Sequence, residues 1–153
     1  MNSPIRQPIV ILMADDDIDD QQLCKEAMEE SRLINTLKCV NDGVELMEYL
    51  ERKGEFSDPE KSPRPDLILL DLNMPRMDGR AALHEIKTHP RFRSIPVVIL
   101  TTSKAEEDML KGYELGAASY ISKPVTFTGL VELMRSLGRY WLEIVQLPPH
   151  REE

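Results

Sequence analysis

The residues of this chain that could do chemistry sit just after its apolar runs. Asp15 and Asp16 follow Ile9-Val-Ile-Leu-Met13, Asp71 follows Leu67-Ile-Leu-Leu70, Thr101 follows Val97-Val-Ile-Leu100, and Lys123 comes two residues after Ala118–Ile121. Three carboxylates brought together repel: at ~4 Å and an effective dielectric near 20, each pair costs about 4 kcal/mol. A cation must sit among them, or one must hold a proton. Asp15, Asp16 and Asp71 suit a hard divalent cation with oxygen ligands, which is Mg2+ chemistry, and Mg2+ shares its remaining positions with waters and phosphate. Lys123 offers a point charge to phosphate oxygens, and Thr101 offers a hydroxyl donor. Three acids and one lysine sum to −2, which a divalent cation neutralises. A carboxylate can itself be the nucleophile and form an aspartyl-phosphate. Asp71 is best placed for that role, because it closes the most apolar run. Pro75 and Asp78-Gly79 are turn formers that hold the segment after it.

These residues converge only if the apolar runs are neighbouring strands. Ile9–Met13, Leu37–Val40, Leu67–Leu70, Val97–Leu100 and Ala118–Ile121 read as strands. They alternate with helix-period segments at Ile18–Ser31, Val44–Arg52, Gly79–Thr88, Ser103 to about Glu114, and from near Thr126. Leu23, Ala27 and Met28 form the inner face of the first helix, and Leu46, Met47 and Leu50 that of the second. Asp78 is a candidate N-cap, and Ser103-Lys-Ala-Glu106 reads as a capping box. Five βα units with continuously apolar strands predict an α/β fold, with a parallel sheet covered by helices on both faces. Ligands of such sheets bind at the strands' carboxyl ends, where the strand order reverses. Lys53–Pro65, with three prolines, reads as a surface loop.

Composition narrows the partners. The 153 residues fit one domain, 41% are apolar and 30% charged, and the net charge is −8. An acidic surface disfavours nucleic-acid backbone as the partner. No apolar run is long enough to span a membrane, and none opens the chain as a secretory signal. Cys24 and Cys39 read as two buried free thiols of a reducing, cytoplasmic compartment, since neither lies at ligand spacing from His84, His89 or His150.

With these residues in view, the sequence resembles the receiver domain of two-component response regulators. The matching pieces are Ile11-Leu-Met-Ala-Asp-Asp16, Asp66-Leu-Ile-Leu-Leu-Asp71-Leu-Asn-Met-Pro-Arg-Met-Asp-Gly79, Ile95-Pro-Val-Val-Ile-Leu-Thr101 and Gly116-Ala-Ala-Ser-Tyr-Ile-Ser-Lys-Pro124. The resemblance implies a flavodoxin-like (βα)5 fold with strand order 2-1-3-4-5, over residues 8–138. Residues 139–153 would be a helical extension and tail, with no separate output domain. It implies that Asp71 accepts a phosphoryl group from a histidine kinase or a histidine phosphotransfer protein. Mg2+ would sit on Asp15, Asp16, Asp71 and the backbone carbonyl of Asn73. Thr101 and Lys123 would contact the phosphoryl oxygens, Tyr120 would be the aromatic switch residue, and the Lys123-Pro124 bond would be cis. The module would signal by protein–protein contact, with no enzymatic turnover beyond its own phosphotransfer and dephosphorylation. The loop before the third strand, Leu100–Asp108 and Tyr140–Pro148 further resemble the stand-alone receivers that partner bacterial phytochromes. That subfamily tends to dimerise, here through the face spanning about 104–145. Asp15 stands where those regulators often carry Glu, and Asp17 adds a third acid beside the metal pair.

Plainer readings compete. Asp17, Asp19 and Asp20 are expected to complement the dipole of a helix N-terminus. Asp15, Asp17, Asp19 and Glu26 imitate calcium-loop spacing, but Asp20 stands where that loop needs Gly. His84 and His89 read as exposed, and Met74 and Met77 as loop packing. Leu130, Leu133, Met134, Leu137, Trp141, Ile144 and Val145 form one helical stripe, of which the tail part, Trp141, Ile144 and Val145, reads as a partner interface in preference to a fold-back. A hydrolase of the haloacid-dehalogenase type shares the Asp, Thr and Lys logic, but places its nucleophile in an early Asp-x-Asp. Here the acidic pair comes first, and Asn73 takes the second acid's place. A degenerate receiver serving only as a scaffold is the third reading.

Overall fold

The structure is a computed structural model that describes residues 9–31, 35–72, 74, 76–77, 79–102, 119–123 and 126–139. Among the described residues five strands run: β1 (Ile9–Ala14), β2 (Asn35–Val40), β3 (Leu67–Asp71), β4 (Val97–Thr102) and β5 (Ser119–Lys123). Four helices are described: α1 (Ile18–Ser31), α2 (Gly43–Glu51), α3 (Gly79–Thr88) and α4 (Phe127–Arg139). All strand pairs are parallel, in the order β2-β1-β3-β4-β5. The chain steps from β1 outward to β2, then returns to the other side of β1 as β3. The order therefore reverses between β1 and β3.

Side-chain alternation divides each central strand between two cores. Leu12 and Ala14 of β1, Ile68 and Leu70 of β3, and Val97 and Ile99 of β4 join Leu46, Met47 and Leu50 of α2 and Ala82, Leu83 and Ile86 of α3. Ile11 and Met13, Leu67 and Leu69, and Val98 and Leu100 point the other way. They meet Cys24, Ala27 and Met28 of α1 and Leu130, Val131 and Met134 of α4. Both faces are covered, which is why β1 and β3 are buried at every position. Each such Leu or Ile contributes roughly 1.5–3 kcal/mol by leaving water.

Local sequence explains the helix ends near the strand tips. The Asp17 carboxylate accepts from the Asp19 amide at 2.9 Å and caps α1, and Asp19 and Asp20 fill its first turn. Asp42 caps α2 by accepting from the Glu45 amide at 2.8 Å, while Glu45 accepts from the Asn41 amide at 2.8 Å. Arg52 ends α2 in the left-handed region at φ 56. The Lys53–Pro65 loop forms one short 3-10 turn, Gly54–Phe56, and is pinned where the Tyr49 hydroxyl donates to the Pro63 carbonyl at 2.8 Å.

Two expectations need correction. Cys39 is exposed; only Cys24 is buried. The strand of Cys39, β2, lies at the sheet edge, with no neighbour on one flank among the described residues. On the inner face of α1, Ala27 and Met28 are buried as expected, Leu23 is half-buried but packs against the same core, and Cys24 joins them. His89 is half-buried and stacks on Phe92, with ring centroids 4.1 Å apart. The expectations for Asn73, Pro75, Asp78, Pro124, the helix opened by Ser103–Glu106 and the tail with Trp141, Ile144 and Val145 lie outside the described residues.

Candidate functional site

Asp15 and Asp16 leave the end of β1, and Asp71 is the last residue of β3, so the acids meet where the strand order reverses. Carboxylate oxygens of Asp15, Asp16 and Asp71 all lie within 4.8 Å of one another. Asp15 is fully buried, Asp71 is 4% exposed, and Asp16 faces solvent. Two acids are thus held by the fold, and the third opens the cluster to water.

Backbone contacts hold this cluster from several sides. The Asp15 amide donates to the Val40 carbonyl at 3.1 Å, and its carboxylate accepts from the Asp17 amide at 2.9 Å. Gln21 bridges two segments: its side-chain amide donates to the Asp15 carbonyl at 2.6 Å and to Asn41 Oδ1 at 3.0 Å. On the other side, the Leu72 amide donates to the Leu100 carbonyl at 3.2 Å, and the Gly79 amide to the Leu72 carbonyl at 2.9 Å. Gly79 has to lack a side chain, because a Cβ there would collide with the Asp71 carbonyl and the Leu72 backbone.

Thr101 and Lys123 lie on the next two strands of the same rim. Asp71 pairs with Leu100, the residue before Thr101, and Lys123 pairs with Thr102. Tyr120 pairs with Ile99 on β5. The backbone therefore brings the ends of β1, β3, β4 and β5 to one edge of the sheet.

The sequence reading missed the corner after β2. Asp42 is buried, and its carboxylate takes both Nε (2.8 Å) and a terminal nitrogen (3.1 Å) of Arg76. Burial works against the charged carboxyl, but the hydrogen bonds from Arg76 and the amides of Glu45 and Val44, together with the Arg76 charge, outweigh it and hold its pKa below the usual carboxylate range. Arg76 itself has φ 64, a left-handed conformation that non-glycine residues adopt at a cost of about 1–3 kcal/mol. The visible signal was Asp42-x-x-Glu45, a helix-start pattern; the partner 34 positions away left no local trace.

The donor set fits a hard divalent cation. An octahedral Mg2+ at about 2.0–2.1 Å from each oxygen needs carboxylate oxygens a few ångströms apart, with room left for water. The cluster offers oxygens only, within that reach, with Asp16 on the open side.

Comparison with known proteins supplies the family. The family model for the response regulator receiver domain matches residues 11–135. The chain belongs to the response regulator receiver family. Response regulator Rcp1 of Synechocystis is 40% identical over 148 residues, covering 97% of this chain and 99% of that protein. The phosphorylated cyanobacterial phytochrome response regulator RcpA superposes with a TM-score of 0.80 at 38% identity, over 93% of this chain and 99% of that one. The Mn2+-bound form of Rcp1 gives a TM-score of 0.77 at 42% identity, over 92% of this chain and 99% of that one. Membership favours the receiver reading over the dehalogenase-type hydrolase.

Proposed function

We propose that this receiver takes a phosphoryl group onto Asp71 with the help of Mg2+, and that it acts as a stand-alone, cytoplasmic regulator linked to a bacterial phytochrome kinase. The observation that carries the proposal is the meeting of the Asp15, Asp16 and Asp71 carboxylates at the reversal of strand order. The Mn2+ bound by Rcp1 and the phosphorylation of RcpA support it, as does the cover of nearly the whole length of both relatives.

In the proposed transfer, an Asp71 oxygen attacks the phosphorus of a phosphohistidine. The new P–O bond forms as the P–N bond breaks, and the bond's electron pair leaves with the imidazole nitrogen. Mg2+ on Asp15, Asp16, Asp71 and the Asn73 carbonyl would neutralise charge on the phosphoryl oxygens. Lys123 and Thr101 would contact those oxygens from the neighbouring strands. Thr101 and Tyr120 would pass the change to the 104–145 face, which would pair two copies or meet a target. Residues 8–138 would be the receiver and 139–153 its extension.

Docking of the donor has a candidate surface. Ile18, two residues after Asp16, is 72% exposed, and Phe127, at the start of α4, is 39% exposed. These helices pack against each other. Apolar side chains beside the rim would suit a helical histidine donor.

The test is purified protein incubated with Mg2+ and acetyl phosphate, followed by intact mass and peptide mapping. One phosphoryl group at Asp71 is the expected result. Steady hydrolysis of phosphate monoesters without a stoichiometric phosphoprotein would overturn it. The kinase link is tested with Ile18→Glu, which should slow transfer from a phytochrome histidine kinase and leave uptake from acetyl phosphate unchanged.

A further inference from the structure

We propose that the Asp42–Arg76 pair is a positioning clamp that fixes the chain leaving Asp71, and so sets how well the carboxylate cluster takes a divalent cation. The inference rests on the reading of Asp15, Asp16 and Asp71 as a Mg2+ and phosphoryl site.

The segment between β3 and α3 is fastened at three points. The Gly79 amide returns to the Leu72 carbonyl at 2.9 Å and closes the segment on the strand end. Arg76 presents two nitrogens to the two oxygens of Asp42, at 2.8 and 3.1 Å. The Met77 carbonyl accepts from the Gly43 amide at 3.1 Å, and a Cβ on Gly43 would collide with that carbonyl. Two of the three points therefore belong to the corner Asp42-Gly43 at the start of α2.

That corner also reaches the other half of the cluster. The Asn41 side chain is bridged by Gln21 to the Asp15 carbonyl, and the Val40 carbonyl takes the Asp15 amide. The turn from β2 into α2 thus touches both the segment carrying Asp15 and the segment following Asp71. A strut in this place holds the acidic groups at a fixed spacing, which a cation demanding near-ideal octahedral geometry requires.

The pair joins a buried acid to a base whose side chain is 54% exposed, so its strength lies in fixed geometry rather than in enclosure. Asp42 is buried and anchored by capping α2, so its carboxylate has little freedom. Arg76 holds the left-handed backbone at φ 64, which persists only where surrounding contacts enforce it. A planar guanidinium on a fixed carboxylate supplies such a contact with defined direction.

The test uses the full chain and the variants Arg76→Ala, Arg76→Gly, Asp42→Asn and the double variant Asp42→Asn/Arg76→Ala. Asparagine retains a cap acceptor for α2, and glycine tolerates the left-handed backbone. Mg2+ affinity is read by calorimetry, phosphoryl uptake is followed against Mg2+ concentration, and the Gly43 amide is followed by hydrogen exchange. Each single variant should weaken Mg2+ binding about 10-fold, with uptake largely recovered at saturating Mg2+. The double variant should be no worse than the singles, and Gly43 should exchange about 10-fold faster while amides in β1 and β3 keep their protection. Arg76→Lys should restore part of the loss. Unchanged Mg2+ affinity in Arg76→Ala, or wild-type behaviour of Arg76→Gly, would overturn the clamp. A wild-type chain that neither binds Mg2+ nor gains a phosphoryl group would instead overturn the site reading. In that case, Gly43 exchange in the variants still decides whether the pair holds the segment.

Discussion

Gly79 lies with its backbone directly against Asp71: the space a Cβ would need is filled by the Asp71 carbonyl and by the Leu72 Cα, 2.5 Å from where that Cβ would be. The start of α3 is thereby docked onto the last residue of β3. Both neighbours are backbone, so neither can move aside as a flexible side chain would. Gly79→Ala should destabilise the chain by about 1–3 kcal/mol, as overpacked core positions do. It should also cut phosphoryl uptake at Asp71 by a larger factor than the lost stability explains. Thermal unfolding and intact mass after acetyl phosphate check this, and a wild-type rate in the alanine variant would refute it.

Asp71→Asn keeps the shape of the strand end and removes the attacking oxygen. The variant should gain no phosphoryl group from acetyl phosphate, while its circular dichroism spectrum matches wild type. Label retained on the asparagine variant would mean that another residue accepts the group.

Mg2+ should stabilise the native chain, because the unfolded chain cannot assemble the Asp15, Asp16 and Asp71 cluster. At a free concentration near 100 times Kd the gain is about 2.7 kcal/mol. For a chain of this size that is a rise in Tm of about 5–10 °C. EDTA should remove the increment, and Asp15→Asn or Asp71→Asn should abolish most of it. An equal increment in those variants would place the ion elsewhere.

The rim was legible in the sequence because its signals are local. An unbroken apolar run marks a strand buried on both faces, and the first polar residues after it mark the strand's end. Asp15, Asp16 and Asp71 needed nothing more, and the structure brings their oxygens together. Asp17, Asp19 and Asp20 were legible as acids of a helix N-terminus for the same reason, and Asp17 proves to be its cap. The Asp42–Arg76 pair was not, because Asn41-Asp42-Gly43 carries every mark of an ordinary turn and its partner comes from a distant loop. Nor was the exposure of Cys39, which depends on β2 lying at the sheet edge rather than on its own neighbours in sequence.

Asp42 gives a pH dependence with a definite sign. Its folded pKa lies below the unfolded value of about 3.9, so the unfolded chain takes up this proton first as pH falls. The stability it contributes is complete above about pH 5 and is lost as pH drops through the folded pKa. The difference in urea midpoint between wild type and Asp42→Asn should therefore be largest at neutral pH and shrink toward pH 3. A difference independent of pH would show that the ion pair contributes nothing beyond the helix cap.

The two thiols should differ in access to reagents. Cys24 is buried, and burial, followed by Cys39 and the carboxylates of Asp15 and Asp20, pushes its thiol up to about 12. The thiolate is the reactive form, so at pH 8 only a trace of Cys24 can react, and no path leads to it without opening of α1. Cys39 is exposed on the edge strand, but partial burial of its sulfur and the nearby Asp15 charge push its thiol up to about 11, so it also reacts slowly and differs from Cys24 chiefly in access. Iodoacetamide at pH 8 should therefore add one group to the native protein, at Cys39, and a second only in denaturant. Because α1 packs its Cys24 face on the strand that leads into Asp15, the rate of the second addition also reports opening of the β1 side of the site. Mg2+ should slow that addition; rapid alkylation of both thiols in the native, Mg2+-bound chain would contradict the packing described for α1.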